Sequence, residues 1–442
     1  RSFKIKVLIA ASALTGHVNP LLAIGNLLLA RGDDVLFTTA ETFRTRIEAA
    51  GLRFVPCNDG GAAAYLDVSL PPGPERWRHE FERRFIDGMP GQAAGLRRLI
   101  ADHRPDIVIA GSLFLGVLPL LLDRQPRPPI AVLNVSFLFL DRPDHAPVGA
   151  GLPPAGDEAE RMRYSALKAG TDAAFVNPVR AHTDGLLAGL GLPPLPASLP
   201  HSIVVLPDLF LQPTVPAFEY DFGALPSGLR FVGLLPNPHA DIPVPTWWPE
   251  LDAWREEGGH VVLVTQGTLA NADFGALVEP TLTALADRDD LLVVATTGGR
   301  PLDVLRGPLP ANARVASFLP FDLLLPKVDL LVTNGGYGSV SQALAVGVPI
   351  VSAGRTEDKA EVGARIGWSG VGIDLTTDAP TVETLRTAAL RVLNEPSFRV
   401  RAGEVAEAFG SLDSGDEILA ALDALVKGGA LVPASPKRVL CR

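Results

Sequence analysis

Residues Phe318–Leu375 read FLPFDLLLPKVDLLVTNGGYGSVSQALAVGVPIVSAGRTEDKAEVGARIGWSGVGIDL, and this stretch decides the fold. Asp329–Thr333 is a short apolar, strand-like run. Asn334-Gly335-Gly336-Tyr337-Gly338 is a loop that an ordinary helix would not tolerate, and Ser339–Val346 has helical spacing. A strand, a glycine loop and a helix start in that order leave backbone N–H groups where an anion can sit. Glycine suits the position because the backbone must approach closely and adopt positive φ. A helix N-terminus adds about 0.3–1 kcal/mol per negative charge at an exposed site. A second apolar strand, Val348–Ser352, leads into the polar loop Arg355-Thr356-Glu357-Asp358-Lys359. In a parallel sheet both loops leave the carboxyl edges of their strands, where α/β proteins bind ligands. Alone, such a loop is more often only a turn, and the second loop is what turns the reading towards a ligand.

Outward from this stretch, the same alternation of strands and helices fills the chain. Lys4–Ala11 is an apolar run expected as a buried parallel strand. Asn19-Pro20 reads as N-cap and first position of a helix ending at Gly32. Strands follow at Val35–Thr38, Phe54–Val55, Asp106–Ala110 and Ile130–Asn134, with helices between them and an excursion loop over Asp59–Pro74. Ser136–Pro154 is irregular, Glu158–Gly191 mostly helical, and Ser202–Leu206 reads as a strand. A second strand–helix unit starts at His260, and three helices end near Val426. The expectation is α/β: two Rossmann-like, doubly wound parallel-sheet domains facing a cleft. The first spans 1–235, a proline-rich linker 236–249, the second domain 250–400. Helices over 401–427 follow, and 428–442 form a tail.

Composition narrows the function classes. The 442 residues are 47% hydrophobic and 20% charged, with a net charge of −10. That balance argues against nucleic acid, since nothing would neutralise a phosphate backbone. Two cysteines, Cys57 and Cys441, exclude a disulfide framework and suit a reducing cytoplasm. The most apolar run, Leu113–Leu122, is half a membrane span long, so no span is expected. The N-terminus enters a strand at once and is not read as a signal peptide; Arg1 is read as a processed start or a cloning remnant. Asp287-Arg288-Asp289 reads as a helix-to-strand turn, and no metal is expected.

The central stretch resembles the donor-binding signature of the inverting, nucleotide-sugar-dependent glycosyltransferases of family 1, which have the two-domain GT-B fold; the resemblance implies that the final helices, 401–427, cross back to the first domain. The family's His-x-Gly-x-Asn-Ser element falls on Asn334, Gly336, Gly338 and Ser339. Its stacking Trp falls on Phe318, beside Leu319; its ribose-binding Glu on Gln342; its sugar-binding acid–Gln pair on Asp358 and Lys359. Gly267 and Thr268 match its phosphate-contacting turn. The chain departs from the family at Asn334, Gly338, Phe318, Gln342 and Lys359, which leaves UDP and dTDP both open. Gly16-His17-Val18-Asn19-Pro20 matches the setting of the family's general base, which implies that role for His17. An imidazole suits the task, being largely neutral at pH 7. The family orients this His with an Asp after the fourth strand; here Gly111 stands in its place and Ser112 is the nearest polar neighbour.

The resemblance implies transfer of a hexose, with inversion, from a UDP- or dTDP-sugar to a hydroxyl of an apolar small molecule such as a natural product, phenolic or polyketide. No further cofactor is implied, and a monomer or homodimer is expected. Apolar loop residues Leu14, Trp77, Phe81, Leu115, Phe137, Leu138 and Phe139 are the expected acceptor wall. The missing Asp keeps open a weakly active or non-catalytic nucleotide-sugar-binding protein. A sugar-nucleotide epimerase would need acidic groups around the sugar that the sequence does not supply.

Overall fold

A computed structural model of the chain describes residues 4–57, 74–236, 242–268 and 271–428. The loop expected at Asp59–Pro74, apart from Pro74 itself, part of the 236–249 linker, Arg1, and the tail beyond Gly428 with Cys441 lie outside the described residues. Two parallel sheets organise the rest. The first has seven strands: β1 (Lys6–Ala10), β2 (Asp34–Thr38), β3 (Arg53–Phe54), β4 (Ile107–Gly111), β5 (Ile130–Leu133), β6 (Leu209–Gln212) and β7 (Leu229–Phe231). Their spatial order is β3-β2-β1-β4-β5-β6-β7. The second has six: β8 (His260–Thr265), β9 (Leu291–Thr296), β10 (Ala313–Ala316), β11 (Leu330–Thr333), β12 (Ile350–Ser352) and β13 (Gly372–Asp374), in the order β10-β9-β8-β11-β12-β13.

Apolar, β-branched runs form these strands because helices cover both faces of each sheet. Val7, Leu8, Ile9 and Ala10 of β1 are all fully buried, as are Val261–Val264 of β8. Each large side chain so buried contributes about 1.5–3 kcal/mol. The last two helices part company. Pro396–Gly410 packs Ala402, Val405 and Phe409 against the second domain, while Ser414–Val426 buries Ile418, Ala421 and Leu422 in the first domain's core with Ile5, Val7 and Ile9. Arg31 fastens the final helix by an ion pair to Asp423 at 2.7 Å.

Two local expectations are corrected. Ser202–Leu206 is not a strand: Leu199–Val205 is a helix whose start is capped by Ser198, which accepts from the His201 N–H. The sheet resumes only at Leu209 with β6, and β7 follows before the linker. The first long helix also starts early, at Thr15 and not at Asn19-Pro20. The Leu14 carbonyl already accepts from the N–H groups of His17 and Val18. Pro20 is therefore tolerated inside a helix, at the loss of one hydrogen bond. His17 thus stands in the first helical turn, not on a free loop.

Candidate active site

Each sheet reverses its winding once, between β1 and β4 in the first and between β8 and β11 in the second. A crevice opens there at the carboxyl ends of the strands. His17 and Ser112 follow β1 and β4; Gly267 and Asn334 follow β8 and β11. The two carboxyl edges meet across the domains. Gln212, last residue of β6, donates to the Tyr337 hydroxyl at 2.8 Å, and Asn134, just after β5, donates to Gln212 at 2.8 Å.

The second crevice is a built loop. Asn334 Nδ2 donates to the Gln266 carbonyl at 2.8 Å, tying the loop after β11 to the one after β8. Gly335 has φ +90°, a conformation that excludes a side chain without strain, and its N–H is held by Thr333 Oγ1. Helix Tyr337–Ala345 then begins at Gly336 with no side-chain cap. Its first N–H groups have no partner within the helix, and negative charge is favoured there. Gly338 is open to solvent, Ser339 Oγ donates back to the Gly336 carbonyl at 3.0 Å, and Gln342 is half-buried on the same helix. Gly267 touches Gly298, and the Phe318 ring, half exposed, lies over Gly299. Thr268 is exposed, whereas Leu319 is buried in the core.

Asp358 and Lys359 differ in fate. Lys359 is buried with its ammonium on Glu357, so its charge is already engaged. The Asp358 carboxylate reaches the other domain, accepting from Ser136 Oγ at 2.5 Å. Burial pushes its pKa up, and the Ser136 hydroxyl pulls the other way.

The first crevice is less complete. His17 Nδ1, Ser12 Oγ and Ser112 Oγ are buried with no hydrogen-bond partner among the described residues. Ser112 therefore does not hold the imidazole. Burial lowers the His17 pKa to about 4, with the charge of Arg84 adding to the effect, so the ring is neutral at pH 7. Gly111 belongs to β4 with ordinary strand φ, and a Cβ there would stand 3.4 Å from Leu21 Cδ1. Leu21 is one turn beyond His17 on the same helix, so a side chain at 111 would face the helix that carries the imidazole.

Of the expected acceptor wall, Leu14 and Phe81 are partly buried in one cluster with fully buried Leu115 and Leu138. Phe139 borders that cluster and the interdomain one; Phe137 sits in the latter and meets Phe139 edge-on at 5.1 Å. Trp77 stands apart, 60% exposed. Sequence reasoning missed Phe85, whose ring lies 6.0 Å from His17 on a π-turn, Glu82–Ile86, that continues helix Pro74–Phe81. It also missed Ser136 and the buried ion cluster Glu219–Arg365–Glu361. None carries a local motif; Ser136 is 222 residues from its partner.

Residues 279–425 match the family model described as erythromycin biosynthesis protein CIII-like, C-terminal domain. The chain is 38% identical to 4'-demethylrebeccamycin synthase of Lentzea aerocolonigenes over 95% of its own length and 99% of that protein's. It is 35% identical to UDP-glycosyltransferase 2 of Phaeomoniella chlamydospora over 96% of each chain. Among solved structures, the calicheamicin glycosyltransferase CalG4 superposes with a TM-score of 0.71 at 21% identity, over 96% of this chain and 98% of that one.

Proposed function

The chain belongs to the UDP-glycosyltransferase family, with its GT-B fold, and on that premise we propose that it transfers a hexose with inversion from a UDP- or dTDP-sugar to a hydroxyl on an apolar natural product. That it is a glycosyltransferase follows from its relatives; the donor, stereochemistry and site roles are our reading. One observation carries it: the uncapped helix start at Gly336 in one domain and the neutral His17 in the other stand at the facing carboxyl edges of two sheets.

The chemistry follows from the charges. The acceptor oxygen forms a bond to the anomeric carbon while the bond from that carbon to the diphosphate oxygen breaks. His17 takes the acceptor's proton, and the electron pair leaves on the diphosphate. First-turn N–H groups of helix Tyr337–Ala345 meet the charge that develops there, an arrangement worth more in a dry cleft than in water. Attack and departure on opposite faces invert the configuration. Asp358 holds a sugar hydroxyl, in the manner in which it holds Ser136 Oγ. Phe318 stacks on the base, and Gln342 faces the ribose without choosing between uracil and thymine. No step requires a metal.

Incubation with UDP- and dTDP-hexoses and a panel of polycyclic aromatic acceptors tests the reading. The expected product is a glycoside of opposite anomeric configuration to the donor. Retention of configuration, or no transfer from either nucleotide, would sink it. A second reading, a nucleotide-sugar-binding protein with feeble transfer, is favoured by His17 Nδ1, which has no partner among the described residues. Donor binding by calorimetry without hydrolysis or transfer would select it.

A further inference from the structure

Helix Lys359–Ser369, which begins just after Asp358, is held to the first domain by an unusual set of buried charges. Arg365, 1% exposed, donates from Nε to Glu219 at 2.8 Å and from Nη1 to Glu361 at 2.7 Å. Each carboxylate spends its other oxygen on first-domain backbone. Glu219 accepts the Leu138 N–H at 3.2 Å, and Glu361 accepts the N–H groups of Gly149 at 2.9 Å and Gly151 at 3.2 Å. The approach is close enough that a Cβ on Gly151 would fall 2.5 Å from the Ala360 carbonyl oxygen. Tyr220 is gripped between two guanidinium groups, with Arg365 at 4.3 Å and Arg142 at 4.5 Å from its ring centre.

A buried ion cluster is a poor device for stability alone, because desolvation offsets the attraction. What this one does is geometric. It joins the helix that presents Asp358 to the backbone of the Phe137–Phe139 segment at one end and of Gly149–Gly151 at the other. We propose that Arg365 is a positioning residue: through Glu219 and Glu361 it fixes the acceptor wall relative to the carboxylate that holds the donor sugar. The inference rests on the donor reading of Asp358. Arg365 itself touches neither substrate.

The test compares wild type, Arg365→Met and the neutral triple variant Glu219→Gln/Glu361→Gln/Arg365→Met. The triple variant removes all three charges, so no unpaired ion is left to unfold it. Calorimetry with UDP, dTDP and their glucose conjugates is run beside transfer kinetics. Positioning predicts that free nucleotide binds within about twofold of wild type, since its loop at Gly336 is untouched. The sugar conjugate should lose affinity, and kcat should fall on the order of 10–10²-fold, the scale of a misplacement near 1 Å. Should both variants fail to fold, Glu361→Gln, which keeps volume and an acceptor for the two glycine N–H groups, should show the same split at smaller size. A folded triple variant with wild-type kcat and conjugate affinity would overturn the inference and leave the cluster purely structural. Wild type that binds no nucleotide and no conjugate would instead overturn the donor reading, and this inference with it.

Discussion

The crevice between β8 and β11 and the crevice between β1 and β4 are the same topological feature, finished to different degrees. In the second domain, Asn334 satisfies the Gln266 carbonyl, and Thr333 Oγ1 satisfies the Gly335 N–H. The N–H groups at the start of the next helix have no side-chain cap, which suits a diphosphate. In the first domain, His17 Nδ1, Ser12 Oγ and Ser112 Oγ are buried without partners among the described residues, and Gly111 has no side chain to offer them. Binding can thus be built in advance by backbone and amides. A base needs a further polar group aimed at it, and none of the described residues supplies one to His17 Nδ1.

The sharpest way to break this comparison is to remove the base. His17→Ala should lower kcat at saturating donor by at least ~10²-fold, because general-base action contributes roughly 10²–10⁴-fold. Full activity in the variant would show that the first crevice does no proton chemistry. Completing the crevice is the converse. Gly111→Asp should raise kcat on an alkyl alcohol by on the order of tenfold, less on a phenol; loss of an orienting Asp costs ~10⁴ in a serine protease. No positive φ opposes the change, and Leu21 has only to make room. The new carboxylate would also raise the His17 pKa from about 4, moving the acid limb of the kcat/KM profile upward. An unmoved limb with an unchanged rate would mean that the side chain at 111 does not face the imidazole.

Asp358→Ala probes the contact between the crevices. The KM for intact donor should rise roughly tenfold, the loss expected from one charge-assisted hydrogen bond, while inhibition by free UDP or dTDP hardly changes. Parallel loss of both would assign Asp358 to the nucleotide instead. The smallest effects are on stability. Asn334→Ala removes the buried hydrogen bond to the Gln266 carbonyl and should cost about 1–3 kcal/mol by urea unfolding. His17 also supplies a pH signature. Its pKa is about 4 folded against an ordinary 6.5, so between these values the unfolded chain binds a proton that the folded one does not. Stability should fall as pH drops from 6.5 towards 4, and His17→Ala should flatten that slope.

The sequence disclosed the finished crevice better than the unfinished one, for a physical reason. Strand, glycine loop and helix at Leu330–Ala345 are consecutive, so local spacing exposes them. Asn19-Pro20 misled because it is a good start signal, yet the Leu14 carbonyl had already begun the helix. The Ile203-Val204-Val205 run looks like a strand, but Ser198 and Pro200 set a helix start before it. Ser136 on Asp358 and Arg365 on Glu219 are long-range pairings of residues ordinary in their own neighbourhoods. Nothing short of the fold brings them together.

The final helix bears on how such enzymes can be recombined. Its Ile418, Ala421 and Leu422 complete the first domain's core although they follow the whole of the second domain in the chain. A chimera made by a single cut in the interdomain segment would hand each first domain a closing helix evolved for another. Two cuts, one near residue 240 and one at Ser411–Asp413, would exchange the second domain as a cassette and leave that core intact.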